Sequence, residues 1–329
     1  MLKVLLYTEF EKQLHVSGLG KAIEHQKRAL RENGIPYTLD PKYDYDIVHI
    51  NFYGPKSYLM AKRAKKNGKK VVYHAHSTEE DFRNSFKFSN LISPLFKYWI
   101  VKCYKLGDCI VTPTEYSKKI LEGYGLKNIH AISNGIDLEF FRHDKKMGER
   151  FRKKYNFADN DKVIMGIGLY LERKGIIDFV ELAKRMPEYK FIWFGELDLK
   201  LVPKKIKKAV TTKLPNLIFA GHVSPDEIKA ALSGSDLYLF PTFEETEGIP
   251  ALEALACKTP MVLRDIPVFG FLKNKRDVYK AKNLNEFEKL AKEIINKKLP
   301  DLTENGYKKA QEKDVKLAGK ELAKIYLSL

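Results

Sequence analysis

SDLYLFPTFEETEGIPALEALACK, Ser235 to Lys258, is the stretch that decides the fold. Its first six residues are mostly apolar, carry a Tyr and follow a turn, the signature of a short buried strand. The run IPALEALACK that closes it reads as a helix, with Pro250 in the first turn where a missing N–H costs nothing. A strand passing through an acidic, glycine-containing loop into a helix is one βα unit.

The same unit recurs in both directions. Toward the middle of the chain, KVIMGIGLY (162–170), YKFIWFGE (189–196) and NLIFAGHV (216–223) read as strands, with a helix from Gly175 to Met186; PMVLRD (260–265) follows as another. In the first half KVLLYTE (3–9), DIVHINF (46–52), KKVVYHAH (69–76), DCIVTPTE (108–115) and KNIHAISNGI (127–136) are strands. Helices from Gly20 to Asn33 and around Ser57 to Asn67 separate them, as does a helical stretch ending near Leu106. Such alternation predicts an α/β chain of two doubly wound, Rossmann-like domains. The polar run HDKKMGERFRKKYNFADNDK (143–162) marks the boundary, giving domains over 1–158 and 159–306 and a final helix within 307–329. Leu317, Leu322, Ile325 and Tyr326 fall at helical spacing in that last segment.

Composition narrows the class. The 329 residues suffice for two cores, and 44% hydrophobic with 31% charged residues is a globular balance. No apolar run reaches the ~18 residues of a spanning helix, and MLKVLLYTEF at the N-terminus reads as a first buried strand rather than a signal peptide. Cys103, Cys109 and Cys257 lack metal or redox spacing, which fits a reduced, cytosolic setting. The net charge is +17, and it is uneven. Residues 51–110 hold 12 Lys and Arg against 4 acids, a basic face open to anionic lipid, nucleic acid or solvent alone.

Glu245 and Glu253 stand eight residues apart around the Gly-Ile-Pro turn. A helix start offers free N–H groups to a diphosphate, and carboxylates beside it accept hydrogen bonds from sugar hydroxyls. A nucleotide-sugar has both parts; two solvated acids would show the same spacing. GIGLYLERKG (166–175) sits between strand and helix, where Arg173 and Lys174 offset a diphosphate. Its partial G-x-G also admits a dinucleotide turn, but Glu196 lies beyond the roughly 20 residues usual for a ribose ligand. SGLGKA (17–22) is a glycine-rich loop after the first strand without an ATP-type phosphate pattern. His74 and His76 end a strand, where ligands of parallel sheets bind. Two positions apart they share a face, so a metal with Glu79, Glu80 or Asp81 is an alternative to those acids opening the next helix. Asp44-Tyr45-Asp46 runs into DIVHI and reads as a turn. Ser224 and Asp226 in GHVSPDE suit helix capping.

FKFSNLISPLFKYWIVKCYK (86–105) interleaves aromatic and aliphatic residues with lysines, and Pro94 is expected to break or kink it into two short helices. With Lys65, Lys66, Lys69 and Lys70 ahead of it, the segment fits an anionic bilayer surface through Phe88, Lys97, Trp99 and Lys102. An ordinary core helix with solvated lysines has the same composition. No RNA- or DNA-binding motif is present, so no nucleic-acid partner is expected.

The E-x7-E spacing, with G-I-P and L-E-A-L-A around it, resembles the family-four retaining glycosyltransferases of the GT-B fold. That resemblance implies two Rossmann-like domains flanking a deep inter-domain cleft, with the last helix returning to the first domain. It implies a UDP-sugar donor, Lys174 as the family lysine, and backbone at Val223 pairing with the base. Glu253 would hold the ribose; Glu245, with the backbone of Glu247, Gly248 and Ile249, would bind sugar and phosphate. His76 would contact the sugar, and Gly18 and Gly20 would approach phosphate or acceptor. Two departures stand out: Leu169 replaces the family arginine, for which Arg173 is the candidate substitute, and E-T-E-G replaces the commoner E-G-F-G. HSTEEDFRNSF and RKGIIDFVELAKRMPEYKFIWFG further resemble the bacterial diglucosyl-diacylglycerol synthases. The implied reaction moves glucose from UDP-glucose to monoglucosyl-diacylglycerol, without metal or cofactor, at the cytoplasmic face of the cell membrane with anionic lipid as activator. A polysaccharide-directed transferase and a basic binding protein on an inactive GT-B scaffold are the alternatives.

Overall fold

The computed structural model describes residues 2–10 and 18–329. It divides into two compact units: Met1–Phe82 with Asn90–Asp137 and Lys313–Leu329, and Arg83–Ser89 with Leu138–Glu312.

In the first unit β1 (Val4–Tyr7), α1 (Gly18–Glu32), β2 (Tyr37–Thr38), β3 (Ile47–Ile50), α2 (Pro55–Lys66) and β4 (Lys70–His74) are followed by α3 (Glu79–Phe82), α4 (Ser89–Tyr104), β5 (Cys109–Thr112), α5 (Glu115–Gly123) and β6 (Ile129–Ala131). The strands are all parallel, in the order β2-β1-β3-β4-β5-β6. Because helices cover both faces, the central strands are mostly apolar rather than alternating. Val4, Leu5, Val48, Val71, Val72 and Val111 are fully buried. Glu9, buried just beyond β1, accepts from the Ser57 backbone N–H at 3.1 Å, capping the otherwise uncapped start of α2.

The second unit continues with α6 (Lys145–Lys154), β7 (Val163–Ile167), α7 (Ile176–Arg185), β8 (Lys190–Phe194), α8 (Lys204–Val210), β9 (Leu217–Gly221), α9 (Pro225–Gly234), β10 (Leu237–Phe240), α10 (Ile249–Ala256), β11 (Met261–Arg264), β12 (Tyr279–Ala281), α11 (Leu284–Ile295) and α12 (Thr303–Gln311). Its parallel sheet runs β12-β11-β10-β7-β8-β9 around a core containing Phe179, Phe191 and Trp193. The α/β reading of both halves therefore holds.

Three details differ from the sequence reading. The units part at Asp137/Leu138, ahead of 158, because α6 packs on α9. Gly148 lies against Ser233 and Gly234, and Arg152 donates to the Gly234 carbonyl at 3.0 Å. The final segment is two helices: α12 belongs to the second unit, and α13 (Val315–Ser328) belongs to the first. Asp314 separates them by accepting from the Lys316 N–H at 2.7 Å. On α13, Leu322, Ile325 and Tyr326 are buried against the β1–β3 face, each contributing about 1.5–3 kcal/mol. Lastly, Pro94 lies inside the single helix α4 and does not divide it. The Asn90 carbonyl that loses its N–H partner there lies 3.2 Å from the Ser93 hydroxyl, whose one proton it shares with Glu79 Oε1 at 3.1 Å.

Candidate functional site

In each sheet the strand order reverses once, between β1 and β3 in the first unit and between β10 and β7 in the second. Loops leaving the carboxyl ends of such neighbouring strands splay apart and leave a crevice for ligands.

In the second unit those loops carry most of the predicted residues. The chain leaves β7 through Gly168, whose carbonyl accepts from Trp193 Nε1 at 2.8 Å, and makes a tight turn at Glu172–Lys174. Gly175 ends that turn at φ +74°, with the Pro241 carbonyl where a Cβ would sit. Only glycine lets the two loops touch there. The contact delivers Lys174 Nζ to 2.5 Å from Glu245 Oε1, both side chains being mostly buried. Thr242 Oγ1 lies 2.9 Å from the same Glu245 oxygen and 3.0 Å from the Arg173 carbonyl. Of the clustered acids, Glu245 is thus the one that faces the lysine.

Arg173 has a different surrounding. Its Nε donates to Ser85 Oγ at 2.9 Å, and its Nη1 reaches the Glu244 carbonyl at 3.3 Å and Glu245 Oε2 at 3.9 Å. The guanidinium ties the 83–89 segment to the β10 loop. Glu247 is buried, and Gly248 (φ +84°) precedes α10, which opens with Ile249 and Pro250. A Cβ on Gly248 would meet the Phe269 ring at 2.9 Å. Glu253 lies one turn into α10, fully buried. Burial first, then its charge, push the Cys257 thiol up to about 12 and raise the Tyr238 phenol well above its ordinary range. Val223 is half-buried after the edge strand β9, away from the lysine–glutamate pair in the sheet order. Ser224 next to it caps α9, accepting from the Glu227 N–H at 3.3 Å. Thr242, Ser85 and Tyr238 went unnoticed in the sequence; no spacing rule singles them out.

In the first unit Gly18 and Gly20 lie in the first turn of α1 rather than in a loop, while Ser17 falls outside the described residues. His76 follows β4 and is half-buried; its ring stacks on His74 with centroids 3.8 Å apart. His76 Nε2 lies 3.0 Å from Asn51 Oδ1. Burial holds His76 and His49 down at about 3, and His74 well below the usual imidazole range, so the rings are neutral. The acids that would complete a metal site have other work: Glu79 accepts from Ser93 at 3.1 Å, and Glu80 from the Tyr124 hydroxyl. Among the described residues no group of three or more His, Cys, Asp or Glu is placed to hold a metal ion.

The basic segment sorts into two faces. Leu91, Ile92, Leu95 and Tyr98 on α4 are exposed, by 78%, 47%, 69% and 65%. This i, i+1, i+4, i+7 pattern is one uninterrupted helix face. Phe88 is exposed too, whereas Trp99 turns inward and donates to the Tyr53 carbonyl at 2.6 Å. Lys97 pairs with Glu79 at 3.5 Å and covers the Tyr124 ring; Lys102 lies beside the Tyr58 and Trp99 rings. Lys65 and Lys69 pair with Asp108 and Asp44, and Lys66 and Lys70 are exposed. Among the described residues no helix is long and apolar enough to cross a membrane.

Residues 17–140 match the model for Glycosyltransferase Family 4, and residues 148–313 match that for Glycosyl transferases group 1. The chain is 43% identical over 330 residues to the processive diacylglycerol alpha-glucosyltransferase of Acholeplasma laidlawii, covering 99% of this chain and 98% of that one. It is 27% identical to the alpha-galactosylglucosyldiacylglycerol synthase of Streptococcus pneumoniae over 77% of this chain and 69% of the relative. Among solved structures it shares the fold of Anabaena HepE in complex with UDP-glucose, with a TM-score of 0.77, 15% identity and full coverage of both chains. Sucrose-phosphate synthase from Thermosynechococcus elongatus matches with a TM-score of 0.81 at 12% identity, over 100% of this chain and 99% of that one.

Proposed function

The chain belongs to the glycosyl transferases group 1 family, and on that premise we propose that it moves glucose from UDP-glucose onto a diacylglycerol glycolipid, with retention at the anomeric carbon. The observation that carries the donor reading is the Lys174–Glu245 pair, 2.5 Å apart at the strand-order reversal. A diphosphate arriving there takes over the lysine's charge and frees the glutamate to accept from the sugar's hydroxyls. The N–H groups at the start of α10 and the Lys174 ammonium then offset the charge of the departing UDP without a metal. Glu253 holds the ribose and the Val223 backbone reads the base. By the same reading His76 is a hexose contact. Retention follows if the acceptor hydroxyl attacks the face from which UDP leaves, passing its proton to the departing phosphate.

The acceptor reading rests on the 43% identity to a diacylglycerol glucosyltransferase and on the exposed face of α4. An apolar helix face beside lysines suits the interface of an anionic bilayer, and this supports the reading that the enzyme works peripherally at the cytoplasmic face of the cell membrane, next to its lipid. The donor half is tested by calorimetric binding of UDP, GDP and UDP-glucose. Tight UDP binding that weakens at least tenfold in Lys174→Ala supports it; equal affinity for GDP, or none for either, contradicts it.

A further inference from the structure

Behind His76 lies a set of buried polar groups for which the transfer reaction has no stated use. Asn51, directly after β3, is 1% exposed, and Gln26 on α1 is 4% exposed. Asn51 Nδ2 donates to Gln26 Oε1 at 2.8 Å, which leaves Asn51 Oδ1 to face His76 Nε2 at 3.0 Å. Gln26 in turn aims its Nε2 at the His49 ring, 3.0 Å from both nitrogens. His49 Nδ1 meets the Tyr326 hydroxyl of α13 at 2.6 Å, and His49 Nε2 meets His74 Nδ1 at 3.1 Å. The donors therefore all run one way, from His76 to Asn51 to Gln26 to His49. Turning over either amide alone would set two donors or two acceptors face to face in a buried space, which costs ~1–3 kcal/mol per lost partner.

We propose that Asn51, oriented by Gln26, is a positioning residue that holds the His76 imidazole with its proton on Nε2, so that Nδ1 presents a lone pair to a hydroxyl of the transferred hexose. An amide oxygen can only accept, so Nε2 must be the protonated nitrogen of the neutral ring. Stacking on His74 fixes the ring plane, and the Asn51 bond fixes rotation within it. The groups around the ring are neutral: His74, His49, Gln26 and Asn51 carry no charge, so nothing there favours the imidazolium. This assignment rests on the reading of His76 as a sugar contact.

The test uses the full chain with 15N-labelled histidine. In the wild type the His76 nitrogen shifts show Nε2–H and unprotonated Nδ1 across neutral pH. Asn51→Leu removes the acceptor, mixes the tautomers and lowers kcat/KM for UDP-glucose about tenfold, the worth of one hydrogen bond. Asn51→Asp keeps an acceptor in place and restores activity at high pH. Its carboxylate also raises the pKa of His76, so activity falls as pH drops through that raised value and Nδ1 becomes protonated. A wild-type His76 protonated on Nδ1 overturns the proposal, as does Asn51→Leu that scrambles the tautomers with activity intact while His76→Ala is inactive. Should His76→Ala itself retain activity, the sugar-contact reading fails instead, whatever the tautomer. Circular dichroism of each variant separates these outcomes from unfolding.

Discussion

Lys174 Nζ and Glu245 Oε1 are 2.5 Å apart, with the lysine on the loop after β7 and the glutamate on the loop after β10. Neither loop reaches the other by chain proximity; the Gly175–Pro241 contact and Thr242 join them. Removing one partner leaves a mostly buried charge, so Lys174→Ala is expected to destabilise the fold by about 3 kcal/mol. Adding Glu245→Gln recovers part of that loss, with a coupling of about 1–3 kcal/mol in a urea-unfolding cycle. Additive single losses would mean that the pair is not formed in solution.

Gly248 tests the start of α10. At φ +84°, with the Phe269 and Phe240 rings 2.9 and 3.2 Å from where a Cβ would sit, Gly248→Ala cannot be absorbed locally. It should cost about 1–3 kcal/mol and weaken UDP binding by tilting the helix N-terminus. A variant with wild-type stability and affinity would show that this backbone is not strained by a side chain.

Much of this was legible in the sequence, and the exceptions have physical causes. The βα alternation and the residues after strand ends were readable because parallel strands are continuous apolar runs and ligands gather at their carboxyl ends. The orientation of α4 was not. Phe96, Leu95, Tyr98 and Trp99 are all apolar, and only packing against Tyr53 decides that Trp99 points in while Leu95 and Tyr98 point out. The role of Arg173 was equally hidden. Its partner Ser85 is 88 residues away, a pairing no local pattern encodes. The continuity of α4 through Pro94 was hidden as well, since proline is ordinarily a helix breaker and the Ser93 hydroxyl beside the freed Asn90 carbonyl is seen only in the fold.

That sorting of α4 yields its own expectation. Leu91→Gln with Leu95→Gln should lower partition to vesicles containing phosphatidylglycerol at least tenfold, since each apolar side chain is worth about 1.5–3 kcal/mol when buried. Folding stability should change by less than about 0.5 kcal/mol per site. Trp99→Ala should do the reverse, costing a few kcal/mol of stability. Vesicle binding insensitive to the Leu91 and Leu95 changes would remove α4 as the contact face.

The neutral histidines make an acid-sensitive fold. His49 and His76 titrate at about 3 in the folded chain, held down by burial, and at about 6.5 once unfolded. Between those values the unfolded chain binds more protons, so stability is complete above about pH 6.5 and declines as pH falls toward 3. The slope approaches about 1.4 kcal/mol per pH unit for each such histidine. Urea-unfolding midpoints at pH 7 and pH 5 measure it, and equal midpoints would contradict neutral rings in the folded chain.

The reaction itself is tested by transfer of labelled hexose from UDP-glucose to monoglucosyl-diacylglycerol in mixed micelles containing anionic lipid. The expected product is a labelled diglycosyl lipid whose new linkage keeps the donor's α configuration, and whose formation falls at least a hundredfold in Glu245→Gln. Release of UDP with no labelled lipid would contradict the lipid acceptor while leaving the donor site standing.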